Sequence, residues 1–348
     1  MAQKLILAVT PGDPQGIGPE IVWKAIQRHS KFFKNFALLC VGAEKPFKKL
    51  GAPIIEVDSS GFEYPDSKKP FVWLLPAPTK VENNAFLPGY QSGWSLETAT
   101  RLVQIGIAQA LVTGPISKER LQRGGYPYSG HTDFLADLCG KNDITQELPP
   151  AVSPEVTMML ANDQLRISLV TTHISLKDVP SRLTAQALQR AVLHTADHLR
   201  NSLGIKNPRI AVAALNPHAG EEGLFGREEI EVITPELLNL KKQARGKFKI
   251  FGPLPADTLF AKHILAPKKE RYDAVVCMYH DQGLIPVKLL DFPHTVNVTL
   301  GLPIIRTSVD HGTGFDIAGK DMADPSSFIS AVQLASEMIS KKSGSRRS

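Results

Sequence analysis

Three features of this sequence predict an α/β fold. Short apolar runs rich in Val, Ile and Leu recur along it, such as Leu5 to Val9, Ala37 to Val41 and Ala274 to Met278. Runs of about four to eight such residues, bounded by polar or turn residues, read as buried strands. Segments with helical periodicity separate them, and that alternation indicates a sheet with helices packed on it. The strand-like runs also stop in polar or Gly-rich loops, where open α/β sheets bind ligands. At 348 residues the chain has room for two domains or one large one, with a sizeable core.

The first strand, Leu5 to Val9, runs into Thr10-Pro11-Gly12-Asp13-Pro14-Gln15-Gly16-Ile17-Gly18-Pro19-Glu20. Pro19 and Glu20 open a helix, with proline at a favoured first position and an acid in the first turn. The glycine spacing is neither a dinucleotide fingerprint nor a P-loop. Two readings stand level: a tight strand-to-helix turn, or backbone approach to a ligand at a helix N-terminus. Ala37 to Val41 is a second strand, and residues 58 to 95 are irregular. A helix over Ser95 to Ile107 sets Ala99, Leu102, Val103 and Ile107 on one face. Ala110 to Thr113 is a strand that ends at Gly114-Pro115. Ser129-Gly130-His131-Thr132-Asp133 precedes a helix, and offers either a plain cap or an anion site.

Val156 to Leu160 and Ile167 to Thr172 form a hairpin across Asn162-Asp163. The helix from Thr184 to Leu203 carries His194 and His198 at i, i+4, read as surface or partly buried residues rather than ligands. Asn216 to Gly226 is a second Gly-rich loop, followed by an acidic helix over Arg227 to Asn239. Phe251 to Thr258 is a third such loop, in which Asp257 is a cap or a catalytic acid. Thr295 to Thr299 is a strand carrying Asn297. Pro303 to Arg306 is another, ending in its arginine. A final helix spans Ser326 to Ile339.

The densest strand end is Tyr272 to Lys288, YDAVVCMYHDQGLIPVK. Its apolar run stops at Tyr279-His280-Asp281-Gln282-Gly283. Arg166 to His173 and Ile210 to His218 repeat the pattern of a strand-like run closed by a histidine. Each histidine alone reads as a hydrogen-bonded loop residue. Three at equivalent places raise a second reading, a divalent metal held by neutral imidazoles with positions left open.

Composition narrows the class. No apolar run reaches the roughly 18 residues of a membrane span, and the N-terminal run lacks the form of a secretory signal. Lys341, Lys342, Arg346 and Arg347 carry four of the net +6 charges, leaving +2 for the body. The tail 341–348 therefore reads as disordered. Without a basic, aromatic-interleaved stripe, nucleic acid is not an expected partner. Cys40, Cys139 and Cys277 fall outside any CxxC pattern and suit reduced thiols of a cytoplasmic protein.

Seven motifs together resemble the 4-hydroxythreonine-4-phosphate dehydrogenase family: GDPQGIGPE (Gly12 to Glu20), SGHTDFLA (Ser129 to Ala136), TTH (Thr171 to His173), NPHAGEEGLFGREE (Asn216 to Glu229), GPLPADTLF (Gly252 to Phe260), the Tyr272 to Lys288 stretch, and NVTLGLPIIRTSVDHGT (Asn297 to Thr313). They keep the family's order and span most of the chain. The resemblance implies two α/β/α domains around a cleft, as in isocitrate and isopropylmalate dehydrogenases. The first would comprise 1–127 plus 300–340, and the second, metal-binding and dimer-forming, 128–299. It implies a homodimer with the active site at the subunit interface. One divalent ion (zinc, cobalt or magnesium) would be held by His173 and His218 of one subunit and His280 of the other. His131, Thr132, Lys288, Asn297 and Arg306 would bind a small phosphorylated substrate. Lys288, Asp257 or Asp281 would move protons. His311, Gly312 and Asp316 would bind NAD or NADP, because DHGTGFDIAGK is similar to a dinucleotide loop of the isopropylmalate enzymes. Asp133 and Gly314 stand where the family usually has Glu and Ala.

The implied reaction is oxidation of 4-phosphohydroxy-L-threonine to a β-keto acid that decarboxylates to 3-amino-2-oxopropyl phosphate, in pyridoxal phosphate biosynthesis. Alternatives are a paralogue acting on 4-phospho-threonate or 4-phospho-erythronate, a metal-dependent hydrolase and an acyltransferase.

Overall fold

Runs of Val, Leu and Ile become strands here because both of their faces are buried. The computed structural model describes residues 4–28, 36–57, 61–67, 69–82, 85–140 and 155–345. In chain order the strands are β1 (Leu5–Thr10), β2 (Phe36–Gly42), β3 (Ile54–Glu56), β4 (Val72–Pro76), β5 (Ala110–Thr113), β6 (Thr157–Ala161), β7 (Arg166–Leu169), β8 (Arg209–Ala213), β9 (Lys249–Leu254), β10 (Ala274–Cys277), β11 (Val296–Leu300) and β12 (Arg306–Val309).

The chain divides into two compact units, 1–154 with 302–339 and 155–301 with 340–348. In the first, the strand order is β3-β4-β2-β1-β5-β12 and every pairing is parallel. Leu7 to Val9, Leu39 to Val41 and Ala110 to Val112 are wholly shielded from water, as a parallel sheet covered on both faces requires. Each buried Val or Leu contributes about 1.5–3 kcal/mol. Phe134 and Leu135 belong to this unit's core. Residues 128–140, expected in the second domain, therefore pack with the first unit.

In the second unit the order is β11-β6-β7-β10-β8-β9. The β6–β7 hairpin and the β11–β6 pair are antiparallel, and β7, β10, β8 and β9 run parallel. Its core gathers Ile167, Leu169, Ala211, Ala213, Val275 and Cys277 from those central strands.

Three expectations change. The region 58–95 is not all irregular: it holds β4, and a helix spans Leu87–Gln104. Gly89 and Gly93 lie within this helix as packing residues. A Cβ at either would meet the Arg120 carbonyl at 1.7 Å or the Tyr126 ring at 2.1 Å. Arg306 begins β12 rather than ending a strand. The last helix continues to Ser345, so the expected disordered tail is helical in its first part, and 346–348 lie outside the described residues. All three cysteines are free thiols, and burial pushes Cys40 up to about 12 and Cys139 to about 11. Among the described residues no helix is long and apolar enough to cross a membrane.

Candidate active site

In the first unit the loop after β1 turns into the helix Gly18–Arg28. A Cβ on Gly16 would stand 2.7 Å from the Thr313 carbonyl, so this position is glycine because the 310–320 segment lies against it. The Ile17 N–H donates to the same carbonyl at 2.9 Å. Buried Glu20 extends the contact, accepting from the Gly319 and Ala323 amides at 2.9 and 3.0 Å. Lys24, one turn on, lies 2.9 Å from Glu20, Asp321 and the Ala323 carbonyl. Burial works to lower its pKa, but bonding to Asp321 and Glu20 outweighs that and leaves it raised. The Arg120 guanidinium stacks 4.0 Å over Phe315 and donates to Gln15 at 2.7 Å.

The segment bearing His311, Gly312 and Asp316 is thus fastened to the first loop and helix. A concavity of about 680 Å³ opens beside it, within the size range of small-molecule sites. Gln15, Gly16, Ala43, Lys45, Lys49, Thr79, Ala318 and Gly319 are among the residues lining it. His311, Gly312 and Asp316 are not, so the wall comes from the later residues of their loop. The His311 Nδ1 lies 3.0 Å from the Gly312 carbonyl.

His131 opens the helix His131–Gly140. Its Nε2 is shielded from water without a hydrogen-bond partner. Burial, helped by the Arg306 charge, holds its pKa well below the ordinary 6.5, so it is neutral at physiological pH. Arg306 is 2% exposed. It donates from Nη2 to Thr113 Oγ1 at 2.7 Å, and burial draws its guanidinium down to about 9, still charged at neutral pH. Thr132 is exposed in the first turn. The shorter acid Asp133 closes this turn by accepting from the Ser129 amide and hydroxyl at 2.6 and 2.9 Å.

In the second unit, β7, β10 and β8 are neighbours and parallel. His173, His280 and His218 follow their three carboxyl ends. The His173 and His280 rings lie 5.5 Å apart. The His280 Nδ1 is 2.7 Å from Asp281 Oδ1, which fixes the tautomer and leaves Nε2 to act as a ligand, the usual support of a metal-bound imidazole. His173 and His218 are exposed. Among the described residues no three His, Cys, Asp or Glu side chains are grouped to hold a metal within one chain.

His218 occupies an unusual backbone. His218, Ala219, Gly220, Glu221 and Glu222 have φ of 52°, 56°, 81°, 40° and 56°, a left-handed turn. Each non-glycine residue there costs about 1–2 kcal/mol, and such strain gathers at functional sites.

Lys288 lies two turns beyond His280 on the helix His280–Asp291, with Nζ 5.4 Å from the Phe292 ring centre. Asn297 is half-buried in β11. Asp257 does not cap its helix: Pro255 is the cap, and Asp257 stands in the first turn. His194 meets the Thr157 hydroxyl at 3.0 Å and His198 is buried, so both have structural surroundings. Sequence reasoning missed Lys24, although its i, i+4 spacing from Glu20 is a visible signal. Arg120 carried none.

The family model for pyridoxal phosphate biosynthetic protein PdxA matches residues 75–335. A 4-hydroxythreonine-4-phosphate dehydrogenase of Caulobacter vibrioides is 41% identical over 97% of this chain and 98% of its own. A Bradyrhizobium diazoefficiens protein provisionally named D-threonate 4-phosphate dehydrogenase is also 41% identical, over 98% of both chains. The crystal structure of 4-hydroxythreonine-4-phosphate dehydrogenase from Klebsiella pneumoniae superposes with a TM-score of 0.79 at 34% identity, over 97% of this chain and 100% of that one. A family match over residues 75–335, with relatives 41% identical over nearly the full length of both chains, places this chain in the PdxA family of pyridoxal phosphate biosynthetic proteins.

Proposed function

We propose that the chain is a dehydrogenase that oxidises 4-phosphohydroxy-L-threonine with NAD or NADP. The β-keto acid formed loses carbon dioxide to give 3-amino-2-oxopropyl phosphate, a step toward pyridoxal phosphate. The observation that carries this reading is the set of histidines, His173, His280 and His218, at the carboxyl ends of three adjacent parallel strands, in a member of this family. Three imidazoles, one already oriented by Asp281, are a donor set that fits zinc or cobalt. A divalent ion there would supply Lewis acidity to the substrate hydroxyl. A nicotinamide ring would accept the hydride.

The chain's own residues do the rest. Arg306 and Lys288 offer cations to the phosphate and carboxylate. Neutral His131, with Thr132 and Asn297, gives uncharged hydrogen bonds. Asp281 orients His280, which leaves Lys288 and Asp257 as the proton carriers. The loop bearing His311, Gly312 and Asp316, fastened by Glu20 and Arg120, would hold the dinucleotide with the adjacent cavity.

A homodimer goes with this reading, the partner's His280 completing the set. Ile285, Leu289 and Phe292 run along one face of the helix His280–Asp291 and are 63%, 83% and 54% exposed. Such an apolar stripe is a natural subunit contact. A cytoplasmic location suits the three free thiols.

The relative named for D-threonate 4-phosphate is as similar as the one named for 4-hydroxythreonine 4-phosphate, so the 4-phospho-threonate reaction is the second reading. NADH absorbance with 4-phosphohydroxy-L-threonine, 4-phospho-threonate and 4-phospho-erythronate, in metal-free buffer and after adding cobalt, separates them. Metal-dependent NADH from the amino acid supports the first reading. NADH from the sugar acids alone moves the substrate, and NADH from none overturns the dehydrogenase.

A further inference from the structure

The left-handed turn that presents His218 needs something to hold it, and the structure supplies one buried acid. Glu229 is 3% exposed and starts a π-helical turn, Glu229–Ile233. Wide turns of this kind gather at functional sites. Its Oε1 accepts from the Leu215 and Asn216 amides, both at 2.8 Å. Its Oε2 accepts from Asn216 Nδ2 at 2.8 Å. The same oxygen would stand 2.7 Å from a Cβ on Gly220, so it lies close against that glycine. One carboxylate therefore grips the stem of the loop at 215–216 and supports its middle at Gly220. His218 lies between those two points.

We propose that Glu229 is the positioning residue of His218, fixing the strained turn from which the imidazole reaches a metal. This rests on the metal reading given above. Every group bonded to it donates: two backbone amides and the Asn216 side-chain amide, which also donates to Glu228 Oε2 at 2.7 Å. In Glu229→Gln the shape is kept, but the new NH2 faces the Asn216 NH2, donor against donor. The turn then loses one of its fastenings and His218 its fixed direction. Groups that orient a ligand typically change metal affinity by about 10–100-fold when altered.

The test is cobalt titration of the full chain, followed by the visible bands of the bound ion, for the parent, Glu229→Gln and Glu231→Gln. Glu231 is an exposed acid of the same turn, paired with Arg227, and serves as the control. The expected result is a cobalt Kd raised about 10–100-fold in Glu229→Gln and unchanged in Glu231→Gln. Melting of the metal-free proteins is measured alongside. A purely structural Glu229 would lower the melting temperature and leave the cobalt Kd at the parent value, which would overturn the proposal. If Glu229→Gln does not fold, Glu229→Asp, one methylene short of the Asn216 amide, carries the same expectation and the same contrary outcome. No cobalt binding by the parent would overturn the metal reading itself.

Discussion

Burial sets the charge states of Arg306 and His131, two residues of the proposed substrate site. The guanidinium of Arg306 is fixed on one edge by Thr113, and its charge helps keep His131 neutral. Arg306→Lys keeps the charge but loses the planar fork. It should raise the KM for the phosphorylated substrate about 10- to 100-fold with circular dichroism unchanged, and an unaltered KM would remove Arg306 from the binding set. His198 gives a test by pH. Burial, and then the Arg166 charge, draw it from 6.5 to about 4. A histidine depressed in the fold contributes stability that is fully present above pH 6.5. As the pH falls from 6.5 to about 4 that contribution is lost, and it amounts to about 3 kcal/mol. The melting temperature of the parent should therefore drop more steeply across this window than that of His198→Leu. Parallel slopes would contradict the assignment.

At the scale of elements, the first loop and the 310–323 segment act as one piece. Gly16→Ala would push a methyl into the Thr313 carbonyl, an overpacking cost of about 1–3 kcal/mol that differential scanning calorimetry would register. Glu20→Ala would release the Gly319 and Ala323 amides and leave buried Lys24 with Asp321 as its remaining ion-pair partner. It should raise the KM for the dinucleotide more than it lowers kcat, and an equal loss in both would show that the segment serves something other than cofactor binding. The strand ends were legible in the sequence because a buried parallel strand is a continuous apolar run, and His173, His218 and His280 each close one. The helix expected from Ser95 is there, but its beginning at Leu87 was not legible, since Gly89 and Gly93 lower helix propensity and their reason, contact with Arg120 and Tyr126, is tertiary. The left-handed turn at His218 was equally hidden. Only one of its five residues is glycine, and the acid that holds it lies eleven positions on. Arg306 was found as a residue but misplaced in its strand, because Pro303 to Ile305 is as apolar as a strand without being one.

For the whole molecule, the proposed metal site needs two copies of the chain. Leu289→Glu places a charge in the exposed apolar stripe of the helix His280–Asp291. It should shift sedimentation from dimer to monomer and abolish turnover together. A fully active monomer would contradict a shared site. The most direct test mixes two inactive variants, His218→Ala and His280→Ala, unfolded and refolded together, and follows NADH formation with cobalt present. If His173 and His218 of one copy join His280 of the other, each hybrid dimer regains one intact site, and activity returns to about a quarter of the parent rate. If all three ligands come from one chain, every site in the mixture is broken. NADH formation would then stay at the level of the separate variants, contradicting the shared site.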